Sequence, residues 1–371
     1  MPQARDWNPG RLSILIAAGL AAAVLLLEIL DAGFVALNRR GIVLPQFDVT
    51  LIPYHDPRVT RRAALLLRYR KPPRLIFTGD SRVKNNIDPE VVAAAAGVAP
   101  ETLFNFGTGS QVVKFAREAF LPMLDDLGAR PEFVVFGVSP DWPLAKRKLW
   151  EIVDRYHQSL AYRMRHPPQE QDPTGAAFSD FLMRRYALLR YRGDLTAREL
   201  VPTLRCWVLG DCFESVTSTT EMFTPLYWRD QERLSGFKTP YGWEPQPWEG
   251  RTSGRFIGRA RFDESVPVDR ESLFGLIREA RARGMAPLLL VMPVHDTFRA
   301  VHEPVMSRRL DEVEAIALQE GVPVLKPRSN YSAPNLFTDG HHMSRLGATQ
   351  LGQDVGELLA PFLTRWRQAP L

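Results

Sequence analysis

Two short segments carry side chains that could form a serine-based catalytic site. In the first, an apolar run ends in a tight Gly-Asp-Ser turn that presents the hydroxyl of Ser81. In the second, the carboxylate of Asp339 precedes His342 by three residues. Ser81 could then act as a nucleophile, His342 as its general base, and Asp339 as the group that orients the imidazole ring.

Each segment alone has a simpler interpretation. Gly-Asp-Ser also occurs as a turn whose polar side chain caps the following helix. Asp-x-x-His could be a solvated loop or half of a metal site. His341 is the ring most easily confused with His342, and we expect it to turn away from Ser81. Arg82 and Lys84 could steer an anionic substrate or only solvate the start of the helix.

The order of these segments, with the blocks between them, resembles the SGNH (GDSL-type) hydrolase superfamily. Residues 105–110 are similar to the block whose glycine N–H serves the oxyanion hole, which implies that role for Gly107. After the third apolar run, Ser139 stands where most of the superfamily has an asparagine. The resemblance implies an oxyanion hole made by Ser81, Gly107 and Ser139. A hydroxyl can donate one hydrogen bond, but its direction is not fixed as that of an amide is.

Finer features resemble the membrane-anchored members of that superfamily that acylate exopolysaccharides or teichoic acids. Examples are alginate O-acetyltransferases and the D-alanyl transfer protein of lipoteichoic acid synthesis. The similarity covers roughly residues 70–140 and 270–366, and includes Asp-x-x-His-Met before Gly347. It implies that a membrane-bound O-acyltransferase supplies the acyl group, with acetyl as the expected group. Ser81 would carry this group as an ester, and a polysaccharide hydroxyl would accept it.

Three functions therefore stay open. The first is transfer of an acyl group to a cell-envelope or secreted polysaccharide. The second is an esterase that removes acyl groups from carbohydrates or lipids, with the same chemistry up to the acyl-enzyme and a difference only in the exclusion of water. The third is a non-catalytic scaffold or glycan-binding protein with a relic triad, which the serine at position 139 keeps open.

An apolar segment near the N-terminus predicts a membrane anchor. Leu12–Leu27 contains 16 residues without a charge, and the apolar character continues to Leu37 past Glu28 and Asp31. A helix over residues 12–38 would be about 40 Å long, enough to span a bilayer with tilt. A cleaved signal peptide and a soluble helix are the alternatives, although no clean small-x-small cleavage site follows the apolar run.

The orientation of this segment stays open from its flanking charges. Two arginines precede it, at positions 5 and 11, and two follow it, at positions 39 and 40. The positive-inside rule thus gives almost a tie. The family resemblance implies a single-pass protein of the inner (cytoplasmic) membrane with its catalytic domain in the periplasm.

The two cysteines, Cys206 and Cys212, lie six positions apart around a Gly-Asp turn. This spacing fits a small disulfide loop in an oxidising compartment, with two free thiols as the alternative. Zinc binding is not indicated, because the cysteines do not form a Cys-x-x-Cys sequence and no histidine lies near them. We expect neither a metal nor a cofactor.

The charge of the chain is concentrated in one region. The composition is ordinary for a globular protein, with 45% hydrophobic and 24% charged residues and a net charge of +5. One stretch without acids holds Arg58, Arg61, Arg62, Arg68, Arg70, Lys71 and Arg74. A solvated helix face or contact with a membrane surface is favoured over nucleic-acid binding, because the stretch follows the apolar segment closely.

Alternating apolar and helical runs predict an α/β protein with a doubly wound parallel sheet. The expected organisation is a tail and anchor at 1–40, a basic connector at 41–73, and an SGNH-like domain at 74–371 with an insertion at about 141–268. The predicted strands are Leu75–Thr78, Leu103–Phe106, Phe133–Val138, Pro287–Met292 and Val322–Leu325. The predicted helices are Val59–Tyr69, Pro89–Ala96, Val112–Leu127, Arg270–Arg283, Val305–Glu320 and Arg345–Arg365.

The insertion differs in composition from the rest of the chain. It holds six of the eight tryptophans and arginine-rich helical pieces. An aromatic, proline-rich loop at 239–248 could be a platform on which sugars stack, or an ordinary lid packed on the core.

Overall fold

The computed structural model describes residues 9–40, 42–44, 49–52, 54, 57–67, 69, 72–108, 111–144, 153–165, 176–192, 195, 266–328, 331–333, 336–337 and 341–365. The chain divides into two compact units. Unit 1 comprises Met1–Tyr54 and Ser159–Ser218, and unit 2 comprises His55–Gln158 and Thr219–Leu371. Part of the predicted insertion therefore belongs to the same unit as the N-terminal helix.

The helices are α1 (Pro9–Arg39), α2 (Pro57–Leu67), α3 (Ser81–Asn86), α4 (Pro89–Ala96), α5 (Val113–Phe115), α6 (Leu121–Asp126), α7 (Leu160–Arg165), α8 (Ala176–Arg185), α9 (Ala187–Arg190), α10 (Arg270–Ala282), α11 (Asp296–Gln319) and α12 (Arg345–Arg365). A 3₁₀ turn covers Pro100–Thr102, and a π-helical turn covers Ala116–Phe120. The strands are β1 (Leu75–Thr78), β2 (Leu103–Asn105), β3 (Phe133–Val138), β4 (Ala286–Val291) and β5 (Val324–Leu325).

Unit 2 is an α/β structure built on a five-stranded sheet with the order β2-β1-β3-β4-β5. Every pair of neighbouring strands is parallel. This confirms the predicted α/β class and parallel sheet, and each strand lies within two residues of its predicted bounds. β2 lies on one side of β1, whereas β3, β4 and β5 follow on the other side. The strand order therefore reverses direction at β1.

The central strands are buried on both faces, as their continuous apolar sequences predict. Leu75 and Phe77 belong to one apolar cluster with Val135, Leu290 and residues of α4 and α12. Ile76, which points to the other face, is fully buried as well. Helix α12 packs against α4, and α10 packs against α5 and the π-helical turn.

Two predicted helices differ from the structure by more than a shift of two residues, and a proline lies at each point of difference. The helix expected over 112–127 forms as α5, the π-helical turn and α6. Pro122 cannot donate to the carbonyl of Glu118 and its ring crowds that position, which accounts for the wider turn just before it. The helix expected from Val305 begins at Asp296 and continues through Pro304, which removes only one N–H donor.

The basic stretch before β1 has partners of its own. Arg74 donates two hydrogen bonds, each 2.8 Å long, to the two carboxylate oxygens of Glu132. Arg62 is buried. Neither arginine is part of a solvated face or free to contact a membrane surface, which corrects both interpretations for these two positions. Glu132, the partner of Arg74, lies 58 residues further along the chain, too far for the local sequence to show it.

Helix α1 of unit 1 has the character of a membrane span. Within it, Ser13–Arg39 is the one stretch among the described residues that is long and apolar enough to cross a membrane, with mean hydropathy 2.5 over its most apolar window. Nothing in that window is buried. The predicted apolar helix is confirmed. A signal sequence has the same length and composition, so the anchor itself stays a proposal.

Candidate catalytic site

Ser81 is the first residue of α3, directly after the turn that ends β1. Gly79 permits this turn, because its φ of 154° is rarely adopted by other residues and a Cβ there would lie 2.5 Å from Cγ2 of Val83. Asp80 caps the helix, since its Oδ1 accepts a 2.8 Å hydrogen bond from the N–H of Arg82. The turn therefore holds the hydroxyl of Ser81 at the carboxyl end of β1.

The structure brings Ser81 and His342 together from positions 261 residues apart in the chain. Nε2 of His342 lies 2.9 Å from Oγ of Ser81. This is within the range over which a general base can take a proton from a hydroxyl group. Both side chains are half-buried, so they are held in place and still reachable by a small molecule.

Asn86 links the two halves of this pair. It is the last residue of α3, the helix that begins with Ser81, and it is fully buried. Its Nδ2 donates to the carbonyl of His341 at 3.2 Å, and its Oδ1 accepts from the N–H of Met343 at 3.0 Å. The Asn86 side chain is thus hydrogen-bonded to the backbone on both sides of His342. Helix α3 therefore positions both Ser81 and the imidazole ring.

The segment that carries His342 is also tied to the chain before it. Phe337 and Met343 form an antiparallel bridge, and the N–H of Ser344 donates to the carbonyl of Leu336 at 2.9 Å. Helix α12 begins one residue later, at Arg345. His342 therefore lies on a short loop that is hydrogen-bonded at its base and continues into a long helix.

A buried ion pair lies beneath the nucleophile turn. Nη1 of Arg82 donates to Oδ2 of Asp80 at 2.8 Å, and the hydroxyl of Ser139 donates to the same oxygen at 2.7 Å. Burial opposes ionisation of Asp80, but Arg82, the Ser139 hydroxyl, the Arg82 N–H and the charge of His341 outweigh it and hold the pKa of Asp80 below its usual value.

These contacts change two interpretations of the sequence. Arg82 is buried and paired with Asp80, so it neither steers a substrate nor solvates the helix. Ser139 gives its only hydroxyl proton to Asp80, so in this arrangement the hydroxyl has none to offer an oxyanion. For Ser139 the physical reason is that β1 and β3 are neighbours, which places the turn after β1 beside the residue that follows β3.

Gly107 packs closely on the nucleophile helix. A Cβ at this position would lie 2.4 Å from the backbone nitrogen of Lys84, so only glycine fits. Its N–H donates to Oδ1 of Asn105 at 2.8 Å, an Asx turn that already satisfies this donor. An oxyanion role for Gly107, as the family resemblance implies, would require that bond to be exchanged for one to the substrate.

Other buried polar side chains fix the loops around the site. Nδ2 of Asn105 donates to the carbonyls of Val83 and Ile87 at 2.9 and 2.8 Å, which ties β2 to both ends of α3's last turn. Gln111 accepts from Thr78 at 3.1 Å and donates to Thr108 at 2.6 Å. The loop after β2 is thereby held to the end of β1.

The N–H of Ser81 remains the donor best placed for an oxyanion. The first N–H groups of a helix have no intrahelical acceptor, and Ser81 is the first residue of α3. The next N–H, that of Arg82, is already bonded to Asp80. An oxygen atom next to Ser81 Oγ could therefore meet the Ser81 N–H directly.

A chain of ring contacts leads from His342 through His341 and Phe298 to His302. The ring centroids of His341 and His342 lie 4.1 Å apart, and Phe298 lies 5.7 Å from His341 and 4.7 Å from His302. Burial lowers the pKa of His302 and that of His295, so both rings favour the neutral form. Of the two adjacent histidines, His342 is the one bonded to Ser81.

Several predicted features lie outside the described residues. They include Asp339, so its place beside His342 stays a prediction. The same holds for a disulfide between Cys206 and Cys212 and for the aromatic loop at 239–248. Among the described residues, no group of three or more histidine, cysteine or acidic side chains is arranged to hold a metal ion.

Sequence reasoning missed the residues that position the pair. Asn105 had a local signal, because an asparagine two residues before a glycine often forms an Asx turn. Asn86 had none, since its partners lie 255 and 257 residues further along the chain. Its role depends on the tertiary structure alone.

Comparison of the chain with models of known protein families gives no match, and no curated protein sequence matches it either. The function must therefore be argued from the chemistry of the site.

Proposed function

We propose that this protein is a membrane-anchored, serine-dependent O-acyltransferase of the SGNH type that places an acyl group, acetyl in the simplest case, on a polysaccharide. The observation that carries the proposal is the 2.9 Å contact between Ser81 Oγ and His342 Nε2. A serine hydroxyl at a helix N-terminus, bonded to an imidazole, has the components of an activated nucleophile. The half-buried state of both side chains fits a substrate-accessible site.

The reaction follows from that contact. Oγ of Ser81 attacks the acyl carbonyl carbon while Nε2 of His342 takes the hydroxyl proton. The Ser81 N–H stabilises the negative oxygen of the tetrahedral intermediate. The intermediate collapses to an acyl ester on Ser81, and His342 passes the proton to the leaving group. An acceptor hydroxyl then loses its proton to His342, attacks the ester, and leaves with the acyl group as free Ser81 regains the proton. Asp339 holds the His342 ring in the required tautomer.

The strand order supports a doubly wound, SGNH-like arrangement. In open parallel sheets, sites form at the carboxyl ends of strands where the strand order changes direction. Here that point lies at β1, between β2 and β3, and Ser81 follows β1 directly. The glycine-only contact of Gly107 on α3 fits the block that follows the second strand in this superfamily.

The apolar surface of α1 supports an anchor in the inner (cytoplasmic) membrane. With the α/β unit in the periplasm, the site would meet envelope polymers, a membrane-bound O-acyltransferase would supply the acyl group, and Cys206 and Cys212 would form a disulfide. Nucleic acid has no part in this function.

The nucleophile is tested by covalent labelling of the full chain in detergent. A fluorophosphonate should label Ser81, and Ser81→Ala should lose both labelling and turnover of a model acetyl ester. Ser139→Ala is the matched control, because the Ser139 hydroxyl is buried and donates to Asp80. It should still be labelled. Full ester turnover by Ser81→Ala would end the assignment of the nucleophile. A wild-type chain that is neither labelled nor active would favour a non-catalytic role.

Transfer and hydrolysis are separated by their products. The acyl-enzyme formed from a model ester is offered a soluble oligosaccharide, and mass spectrometry follows the acyl group. A transferase yields acylated oligosaccharide at a rate that rises with acceptor concentration. Release of free acid at a rate independent of the acceptor, in every acceptor tried, would make the protein an esterase.

Orientation is tested by a reporter fused after Leu371. A reporter that works only outside the cytoplasm should be active, and thiol labelling of the unreduced protein should find Cys206 and Cys212 blocked. Activity of a cytoplasm-only reporter, with two reactive thiols, would reverse the orientation and exclude envelope polysaccharides as acceptors.

A further inference from the structure

Helix α8, within the predicted insertion, exposes two large aromatic side chains on one face. Phe178 and Phe181 have 62% and 59% of their surface exposed. They lie three positions apart, so they point to the same side of the helix. Ser179 between them is also exposed but points elsewhere, because successive helical residues are about 100° apart around the axis.

The end of α8 is attached to α1 in the same unit. Nη2 of Arg185 donates to both carboxylate oxygens of Glu28 at 2.9 Å, and the hydroxyl of Tyr186 donates to Glu28 at 3.1 Å. The N–H of Leu188, in α9, donates to Oδ1 of Asp31 at 2.7 Å. The two acids of the apolar helix thus receive their partners from the insertion.

These contacts locate α8 relative to the membrane that α1 is proposed to span. The uncharged run Leu12–Leu27 has 16 residues (27 − 12 + 1). It is about 24 Å long at 1.5 Å per residue, slightly less than the ~30 Å hydrocarbon core. Glu28 follows at once and must lie near the boundary between acyl chains and headgroups. Arg185, bonded to Glu28, lies at the same depth.

An aromatic face next to arginines is the composition of helices that lie in a membrane interface. Arg184, next to the last residue of α8, and Arg192, two residues after the end of α9, are exposed and could meet headgroup phosphates. The apolar surface of α1 before Glu28 is exposed as well, with Leu20 at 64%. The aromatic face and the lipid-facing surface of α1 thus belong to one unit that is joined at Glu28.

We propose that α8 is an interfacial membrane helix that inserts Phe178 and Phe181 among the acyl chains of the bilayer that α1 spans. The partner is a phospholipid surface, with Arg184 and Arg192 facing its phosphate groups. The insertion would then hold the anchor at a defined depth. This inference rests on the proposed span of α1, and it does not depend on the reaction at Ser81.

The test places a nitroxide label at single positions of the full chain in phospholipid nanodiscs. The variants are Phe178→Cys, Phe181→Cys, Ser179→Cys and Leu20→Cys, each with Cys206→Ser and Cys212→Ser. Accessibility to oxygen, which concentrates in lipid, is compared with accessibility to a water-soluble nickel chelate. Labels at 20, 178 and 181 should favour oxygen, whereas the label at 179, the matched control on the same helix, should favour nickel.

Each other outcome contradicts either the interfacial position of α8 or the membrane span of α1. If the labels at 178 and 181 behave as the one at 179, the helix lies in water and the inference is wrong while the span stands. Shielding of 178 and 181 from both reagents means that protein covers them, and also overturns it. Nickel access at 20 removes the span itself. If the cysteine-free background does not fold, a lipid-borne diazirine on the unmodified chain gives the same decision, since it should label Phe178 and Phe181 after photolysis.

Discussion

Two regions of the molecule pair an acid with an arginine at nearly equal distances but in different surroundings. Asp80 and Arg82, beneath the nucleophile turn, bond at 2.8 Å with 9% and 6% of their side chains exposed. Glu28 and Arg185, in unit 1, bond at 2.9 Å with 38% and 57% exposed. A buried ion cannot replace its partner by water, whereas an exposed one can. Bond length alone therefore says little about the energy of either pair.

Each of these two regions also contains a buried asparagine whose side chain is hydrogen-bonded to a backbone segment. Asn86 grips the backbone around His342. Asn38, near the end of α1, donates to the carbonyls of Val43 and Leu44 at 2.9 Å and accepts from the N–H of Val49 at 3.3 Å. The first asparagine serves a proposed reactive group and the second serves only the fold. Substituting each asparagine thus separates an effect on the position of His342 from an effect on the stability of the fold.

The largest effect should come from the proposed base. His342→Ala should lower kcat/KM for a model ester on the order of 10⁴-fold or more, since the hydroxyl loses its proton acceptor. His341→Ala is the matched control, and it should cost less than about tenfold, since general-base catalysis belongs to the ring in hydrogen-bond reach of Ser81. Equal losses in both variants would show that the segment, and not the ring of His342, is what the reaction needs.

The next effect concerns the two ion pairs. Arg82→Met should destabilise α3 by about 3–5 kcal/mol, because it leaves the buried carboxylate of Asp80 without its cation. Arg185→Met should cost less than about 1 kcal/mol in detergent, where water can replace the lost partner. Amide hydrogen exchange of α3 and of α8, the helices that carry Arg82 and Arg185, measures each local opening free energy. Adding Asp80→Asn to Arg82→Met should recover part of the loss.

The paired asparagines give a smaller effect on the reaction. Asn86→Leu should lower kcat by about 10–100-fold with little change in KM, because the loop can then move His342 away from Ser81. The rate of fluorophosphonate labelling should fall by the same factor. Asn38→Leu should lower the thermal stability of unit 1 and leave labelling unchanged. A purely structural role of Asn86 would instead show as a fraction of unlabelled, unfolded chain with normal kinetics in the remainder.

The smallest effect is a pH dependence of stability. The native pKa of Asp80 is lowered, so its stabilising contribution is present above the unfolded pKa of about 4 and is lost as the pH falls through the native value. In Arg82→Met, burial is no longer offset and the pKa of Asp80 should rise. The difference in stability between wild type and Arg82→Met should therefore shrink on acidification. A difference that stays constant down to about pH 2 would contradict this origin of the effect.

Local sequence was enough to predict the elements of the α/β unit. Continuous apolar runs predicted the five strands within two residues. Helix α4 matches its predicted bounds because its signals are local: Asp88 caps it, Pro89 begins it, and Gly97 ends it in the left-handed conformation. The turn before Ser81 could also be predicted from the local sequence, since Gly79 and Asp80 directly precede the residue that they position.

The tertiary structure alone decided which distant groups meet. The strand order placed the residue after β3 next to the turn after β1, and so gave the Ser139 hydroxyl to Asp80. Arg74 was open to a solvated interpretation in sequence, yet it bonds to Glu132, 58 residues further along the chain. Residue types and local periodicity determine strands, caps and the reactive side chains that are available. Which of those side chains lose their freedom to a partner is decided by packing between segments 50 to more than 200 residues apart, which no local pattern records.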